Sequence, residues 1–186
     1  MKKYFCYWLH SAQIIAVVFC LIAPVGFNDA AAQTTTAITT QQILDAHNVY
    51  RKELGIQPLT WSADLANFAQ RWANELASNK DCRLAHRPQD NGSAWKQLYG
   101  ENIYTGGGTS WAPTILDAIA GWGEEKDNFD FTTKNCKGSE SCGHYTQLVW
   151  RNTTAVGCAI AKCSNGNVIV VCNYNPGGNR VGEAAF

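Results

Sequence analysis

The sequence predicts an α+β domain in which helices cover a small antiparallel sheet. In the first part of the chain, apolar residues recur at intervals of three and four, which is helical spacing. After Cys136 the pattern changes to short β-branched and aromatic runs with turn residues between them. Helices followed by strands are typical of a layered α+β domain. An even number of cysteines after the first segment of the chain also predicts disulfides.

Residues 1–32 are predicted to be a signal peptide. The segment begins with two lysines, has an apolar run at 14–27 and ends in an Ala-x-Ala site. The alternative is an uncleaved anchor, which the shortness of the apolar run disfavours. We therefore expect cleavage after Ala32 and a secreted chain, residues 33–186, that is long enough for a single domain with its own core.

The mature chain is close to neutral. Removal of Lys2, Lys3 and Asp29 leaves 13 basic and 14 acidic groups. This balance gives no electrostatic reason to expect nucleic acid or an anionic membrane as the main partner. We expect a monomer with no membrane span once the signal peptide is removed.

Six cysteines remain after signal cleavage, and an even number in an exported chain indicates three disulfides. Fifteen pairings are compatible with the sequence. Structural zinc is the competing interpretation, but no Cys-x-x-Cys pair is present. The six are Cys82, Cys136, Cys142, Cys158, Cys163 and Cys172.

Three helices are predicted, each from a start signal and an apolar stripe. The first is capped by Thr39 or Thr40 and ends near Leu54, where a glycine follows. The second starts at Ser62, and Pro113 suits the first turn of the third. The predicted stripes are Ile43, Ala46, His47, Tyr50 and Leu54; Leu65, Phe68, Ala69, Trp72 and Leu76; and Ile115, Ile119 and Trp122.

Three strands are predicted to follow as an antiparallel meander. Their sequences are "HYTQLVW" (144–150), "VGCAIAKC" (156–163) and "NVIVVCNY" (167–174). The segments "RNTTA" and "SNGN" separate them as turns.

Three histidines remain in the mature chain. His47 lies on the first helical stripe and is predicted to be a core or capping histidine. His86 lies in an irregular stretch, where binding groups often occur. His144 heads the first predicted strand and is a candidate metal ligand, general base or hydrogen-bonded core residue.

Two glutamates lie in apolar surroundings. Glu101 has aromatic and aliphatic neighbours, where a charge is costly unless it is paired. Glu125 shares a helical face with Trp122, three residues before it, whereas Glu124 points away. Glu125 is therefore the one expected to face inward.

Two histidines and two glutamates in one cleft suit a divalent transition metal such as zinc. They suit a buried hydrogen-bonded network without a ligand as well, and spacing alone favours the network. The sequence has no HExxH, GxSxG or P-loop motif. Full pairing of the cysteines leaves no thiol nucleophile. An enzyme is disfavoured and no cofactor is required; the alternative is a metal-dependent hydrolase or protease.

Several motifs resemble the CAP superfamily of cysteine-rich secretory, antigen 5 and pathogenesis-related class 1 proteins. "GHYTQLVWRNT" and "IVVCNYNPGGN" are similar to its two signatures, and "AHNVYR", "DCRLAH" and "GENIY" extend the likeness over the mature chain. The plant-type pathogenesis-related class 1 branch is the most similar.

The resemblance implies a three-layer α-β-α sandwich with a small antiparallel sheet. It implies the disulfides Cys82–Cys163, Cys136–Cys142 and Cys158–Cys172. It also implies a cleft tetrad, which binds metal in some family members. The tetrad would be His86, Glu101, Glu125 and His144.

The function that the resemblance implies is sterol or other lipid binding in defence or host–microbe interaction. Phe129 and Phe131 fill the first two places of an aromatic loop that relatives use for sterol, while Cys136 occupies the third. A second implied role is release of a signalling peptide, residues 176–186. Arg180 departs from the second signature, which has an apolar or aromatic residue there.

Asn91 and Asn152 fit the sequon for N-glycosylation. They are predicted sites if the chain is made in a eukaryote.

Overall fold

Helices and strands alternate along the part of the chain that this computed structural model describes, residues 37–90, 92–108 and 111–186. Residues 37–186 form one compact unit. The predicted signal peptide and Asn91 lie outside the described residues. No helix among those described is long and apolar enough to cross a membrane. In chain order, the elements are α1 (Thr40–Glu53), β1 (Thr60–Trp61), α2 (Ala63–Asn79), β2 (Gly100–Gly107), α3 (Ile115–Glu124), a 3₁₀ turn (Glu125–Asn128), β3 (Phe129–Asp130), β4 (Asn135–Cys136), α4 (Gly143–Leu148), β5 (Ala155–Lys162) and β6 (Asn167–Asn175).

Polar caps set the starts of the three long helices. The Thr39 side chain accepts a hydrogen bond from the N–H of Gln42 and begins α1, and Ser62 begins α2. These residues satisfy N–H groups that have no partner within the helix. Both predicted starts are confirmed. α3 begins at Ile115 with Thr114 as its cap, so Pro113 lies just before the helix and not in its first turn as predicted.

The main sheet has four strands in the order β1-β5-β6-β2. β6 is central and pairs antiparallel with both β5 and β2. β1 adds a short parallel pair at the outer edge of β5. β3 and β4 form a separate two-stranded hairpin.

Alternate residues of β6 pack into two different hydrophobic cores, because successive side chains of a strand point to opposite faces of the sheet. Ile169 and Val171 pack with the buried face of α2. Val170, Cys172 and Tyr174 pack with residues of α1, α3 and α4 on the opposite face. The sheet therefore lies between two helical layers, and the predicted α-β-α sandwich is confirmed.

The segment "HYTQLVW" was predicted as a strand, and this prediction is wrong: residues 143–148 form helix α4. Tyr145, Leu148 and Val149 are buried and lie three and four residues apart, as one helical face requires. In a run of six or seven residues, the spacing of apolar side chains does not distinguish a helix from a strand. Tertiary contacts at the helix start, described below, decide between them.

The predicted meander is also wrong, although two of its strands, β5 and β6, are confirmed. Its third strand is β2, which lies before α3 in the sequence and pairs with β6 along eight residues, Gly100–Gly107. Three glycines lie in this segment, so it lacks the β-branched pattern that would have marked a strand.

Three disulfides connect the layers and loops, with the pairing that the resemblance implies: Cys82–Cys163, Cys136–Cys142 and Cys158–Cys172. Cys158 and Cys172 face each other across β5 and β6. Cys82–Cys163 joins the end of α2 to the end of β5, and Cys136–Cys142 closes the loop before α4.

Candidate functional site

The first His–Glu pair lies at the start of β2, on the sheet face that α2 covers. The Glu101 side chain is fully buried, and its Oε1 accepts hydrogen bonds from Nδ1 of His86 at 3.0 Å and from the backbone N–H of Arg87 at 3.2 Å. Its Oε2 accepts from Nδ2 of Asn173 at 3.3 Å and lies 3.4 Å from Nε of Arg87. Both carboxylate oxygens are therefore occupied by protein groups.

Arg87 is the partner that makes the buried Glu101 charge tolerable. Its guanidinium carbon lies 3.8 Å from the ring centroid of Phe68 and 5.1 Å from that of Trp72. Burial lowers the pKa of Arg87 to about 10, against the opposing effect of Glu101, so the side chain is charged at neutral pH. Sequence reasoning missed Arg87, although the need for a counter-charge to Glu101 and its position next to His86 were available signals.

The second His–Glu pair lies at the start of α4. Oε1 of Glu125 is 2.6 Å from Nδ1 of His144, and Oε2 accepts from the backbone N–H groups of His144 at 2.9 Å and Tyr145 at 3.3 Å. Cys142, the residue before α4, supplies no side-chain cap. Glu125 therefore caps α4 from outside the helix, where a negative charge also complements the helix dipole.

Opposing effects act on the pKa of Glu125. Burial raises it, while the side-chain hydrogen bond from His144, the charge of that residue and the two backbone N–H groups lower it; the net shift is downward. Glu125 is therefore an ionised carboxylate at neutral pH, which is the form that accepts all three hydrogen bonds.

A buried hydrogen-bond chain connects the second pair to the core. Nδ2 of Asn102 donates to the carbonyl of His144 at 3.0 Å and lies 3.4 Å from the Tyr174 hydroxyl. That hydroxyl is 3.1 Å from Nε2 of His47, whose Nδ1 is 2.8 Å from the carbonyl of Ile43. A carbonyl only accepts, so Nδ1 carries the proton and Nε2 accepts from Tyr174. His47 is thus a core histidine, as predicted.

Edge strand β2 separates the two pairs. Glu101 and Asn102 are adjacent, so their side chains point to opposite faces of the sheet. Glu101 holds His86 on one face, and Asn102 holds the main chain of His144 on the other. In both pairs Nδ1 faces the carboxylate, and neither Nε2 has a hydrogen-bond partner among the described residues. The glutamates therefore orient the imidazoles.

The aromatic loop residues lie in and just after β3, the strand that follows the 3₁₀ turn of Glu125. Phe129 is buried in β3, whereas Phe131 is 41% exposed. Their rings are 5.1 Å apart, and the Phe186 ring lies 5.5 Å from Phe129 and 6.1 Å from Phe131. The ammonium group of Lys134 lies over the Phe186 ring, with Nζ 4.2 Å from its centroid. We call Phe129, Phe131 and Phe186 the aromatic cluster.

Comparison with known proteins identifies the family. Residues 44–174 match the model of the family described as "CAP: Cysteine-rich secretory protein family". The chain belongs to the CAP family. This confirms the resemblance seen in the sequence.

Plant proteins are among the curated relatives of this CAP chain. Pathogenesis-related protein 1B of Nicotiana tabacum is 42% identical over 146 residues, which are 78% of this chain and 80% of that protein. Pathogenesis-related leaf protein 4 of Solanum lycopersicum is 38% identical over 174 residues, 94% and 98% of the two chains.

Solved CAP structures share the fold. Venom allergen-like protein 4 of Schistosoma mansoni is similar with a TM-score of 0.57 and 28% identity, over 79% of this chain and 96% of that one. The structure of NaASP2 with Zn²⁺ has a TM-score of 0.61 at 23% identity, over 82% and 88% of the chains. The second likeness concerns the fold alone.

Metal binding at the CAP tetrad stays a prediction. Within the residues that the structure describes, the group of three ligand-type side chains whose ligand atoms lie within 4.8 Å of one another is His47, Cys158 and Cys172. The two cysteines form a disulfide, so they offer no thiolate and the group does not suit a metal. In the tetrad, the glutamate oxygens are occupied, and Nε2 of His86 and of His144 are the atoms that suit a metal.

Replacement of Glu125 is expected to destabilise α4. Glu125→Ala removes a charged acceptor from three hydrogen bonds at a partly buried site, and we expect a loss of about 2 kcal/mol in the free energy of unfolding. Urea unfolding with the disulfides intact measures this. Glu124→Ala is the matched control, because Glu124 is exposed and a change within about 0.5 kcal/mol is expected there. Equal losses in the two variants would refute the capping role.

Asn152 is exposed in the turn before β5. Its use as a glycosylation site remains a prediction.

Proposed function

We propose that this CAP protein is secreted, is not an enzyme, and binds a sterol or a related lipid in defence or host–microbe interaction. The observation that carries the proposal is the aromatic cluster. Phe131 is 41% exposed while its neighbour Phe129 is 2% exposed, so one apolar ring is held at the surface by a buried one. The half-buried Phe186 ring lies 6.1 Å from the Phe131 ring and extends this apolar surface, and contiguous exposed apolar surface is typical of a binding face.

Rigidity of this face comes from covalent and secondary structure. Phe129 pairs with Cys136 across the β3–β4 hairpin, and Cys136 is bonded to Cys142 at the start of α4. Preformed binding surfaces spend less free energy on ordering when a ligand arrives. The hairpin therefore suits a protein that presents Phe131 to a ligand.

Secretion and the defence setting are supported by different observations. Three disulfides are expected in an oxidising compartment. The family description contains the word "secretory", and the plant relatives are named pathogenesis-related proteins.

The site geometry favours binding over hydrolysis. Glu101 and Glu125 have their oxygens engaged by N–H groups, so neither is free to act as a general base on a water molecule. The six described cysteines are in disulfides, which leaves no thiol nucleophile among them. For a zinc ion, each pair offers one imidazole nitrogen without a protein partner among the described residues, Nε2 of His86 and Nε2 of His144, and a bound ion would supply Lewis acidity there.

Release of residues 176–186 as a signalling peptide is less well supported. The backbone N–H of Gly178 donates to Oε1 of Gln147 at 2.8 Å, and the carbonyl of Ala185 accepts from the N–H of Arg151. A Cβ on Gly178 would lie 2.6 Å from the Trp150 ring, which shows how closely this segment packs. A cut before Pro176 would therefore leave the peptide bound to the domain.

Loss of the exposed ring is expected to weaken sterol binding. With purified mature protein and labelled cholesterol, we expect Phe131→Ala to raise the dissociation constant about tenfold, which corresponds to about 1.4 kcal/mol of lost contact. Thermal unfolding should change little, because Phe131 is 41% exposed.

Trp111→Ala is the matched aromatic control. Trp111 is 55% exposed, and its backbone lies beside Gly107 at the end of β2, so it is not part of the β3–β4 hairpin. We expect normal binding in this variant. Absence of saturable binding by the unmodified protein would exclude the proposed function, and equal effects of the two substitutions would exclude the aromatic cluster as the site.

A further inference from the structure

A cavity of about 270 Å³ lies beside the aromatic cluster, between the β3–β4 hairpin and the C-terminal segment. The C-terminal segment contributes residues 179–183 and Ala185, and Thr146 and Trp150 complete the wall. The hairpin contributes Phe129, Lys134, Asn135 and Cys136.

Two cations, Lys134 and Arg180, line this cavity, and neither forms an ion pair among the described residues. The Nε of Arg180 donates to the carbonyl of Gly177 at 3.3 Å, and its terminal nitrogens have no partner among the described residues. Lys134 contacts the Phe186 ring with its ammonium group. Glu183 is the acidic residue in the wall, and within the described part of the chain it makes no ion pair with either cation. The cavity therefore carries a net positive charge.

Apolar side chains border the same cavity. Val181 lines it and is fully exposed, and Phe131 packs against Phe129, which forms part of the wall. A free inorganic anion would gain no binding free energy from contact with these apolar side chains. An amphipathic ligand matches both features, because its charged end meets the cations while its body covers exposed apolar groups.

Cavity size indicates how such a ligand would sit. At about 270 Å³ the cavity is smaller than the roughly 300–1,000 Å³ of pockets that enclose a whole drug-sized molecule. A head group fits inside it, and the larger apolar body remains outside against Phe131 and Val181.

We propose that this cavity binds the anionic head group of an amphipathic lipid, with Lys134 and Arg180 as its charge partners. The inference rests on the proposed lipid-binding function and specifies the ligand class at that site. It makes Arg180, the residue that departs from the family signature, a determinant of ligand choice.

The test compares cholesterol with cholesterol sulfate, two ligands with the same body and different head groups. We expect the mature protein to bind the sulfate ester about tenfold more tightly at low ionic strength, because two partly exposed cations face one anion. The preference should shrink at 0.5 M NaCl, since salt screens exposed charges. In the Lys134→Gln/Arg180→Gln variant, the preference should disappear while cholesterol binding is kept.

The control is Lys80→Gln/Lys162→Gln, which removes two positive charges from exposed positions elsewhere on the domain. It should keep the preference for the sulfate ester. Thermal unfolding of both double variants checks that they fold, which is expected because Lys134 and Arg180 are exposed.

Four outcomes would overturn the inference. If cholesterol binds and the sulfate ester binds no better, or the preference survives in the Lys134/Arg180 variant, the head-group site is wrong and lipid binding stands. If sodium sulfate competes at the concentration of the sterol ester, the cavity is a site for free anions. If neither sterol binds, the proposed function itself fails.

Discussion

Arg51→Met is expected to lower the free energy of unfolding by about 3–5 kcal/mol, enough to remove a large part of the stability of a domain of this size. Arg51 lies in the last turn of α1 and is 0% exposed. No carboxylate forms an ion pair with it among the described residues. Burial lowers the pKa of Arg51 to about 10, so it is charged at neutral pH.

Backbone carbonyls take the place of a counter-ion for Arg51. Its Nε donates to Gln57 at 2.7 Å, and Nη1 donates to Leu148 at 3.1 Å and Trp150 at 2.9 Å. Nη2 donates to Thr153 at 2.9 Å. Methionine fills similar space but removes the Arg51 donors from these four carbonyls, of which that of Trp150 keeps a second donor, the backbone N–H of Thr153. A buried carbonyl that loses its donor costs about 1–3 kcal/mol in isolation.

Guanidine unfolding with intact disulfides measures the effect. Arg51→Lys separates charge from geometry, because an ammonium group has three donors and cannot reproduce the planar fork. We expect it to recover only part of the loss. Arg151→Met is the matched control, since Arg151 is exposed and should contribute within about 0.5 kcal/mol. A loss below 1 kcal/mol in Arg51→Met would contradict the role described.

Acid is expected to destabilise the protein through His47, starting well above the usual carboxylate range. Burial lowers the pKa of His47 to about 4, from 6.5 in the unfolded chain. The unfolded state therefore binds a proton between these values that the folded state does not. The stability contributed by the neutral imidazole is complete above about pH 6.5 and is lost as the pH falls towards 4. The loss reaches about 3 kcal/mol, at 1.36 kcal/mol for each pKa unit.

Protonation of His47 also has a structural consequence. Nε2 accepts a hydrogen bond from the Tyr174 hydroxyl, and an imidazolium ion has no lone pair there to accept it. Measuring the free energy of unfolding from pH 7 to pH 4.5 separates this effect from Glu125, whose lowered pKa confines its loss to pH values below 4.5. His47→Gln should be less stable at pH 7 but should show a flatter pH dependence. Parallel curves for the two proteins would disprove the assignment.

Most of the helical layer was predictable from local signals. The caps Thr39 and Ser62 and the stripe from Leu65 to Leu76 act within a few residues, so the sequence shows them directly. α4 was not predictable, because its start depends on Glu125, which is 19 residues before His144. β2 was not predictable either, since its pairing partner β6 lies far along the chain and its glycines hide the strand period.

At the candidate site, the sequence identified the two histidines and two glutamates but not their arrangement in space. Helical phase correctly separated Glu125 from Glu124, because that distinction depends only on the distance from Trp122. The division of the four residues into two pairs follows from the opposite directions of Glu101 and Asn102 in an unpredicted strand. Arg87 and Asn102 emerged as positioning residues only when the fold brought them together.

The central position of β6 constrains the order in which the chain can fold. β1 and β2 are bound to the sheet through β5 and β6, which span residues 155–175. During synthesis, therefore, the earlier strands have no sheet to join until the β5–β6 hairpin emerges. Cys82 must likewise wait for a partner 81 residues later. Closing such long loops costs entropy before any contact repays it, which makes assembly slow and late. In a chain truncated before β5, β1 and β2 therefore have no strand to pair with. Their unpaired N–H and C=O groups make such a chain prone to aggregation.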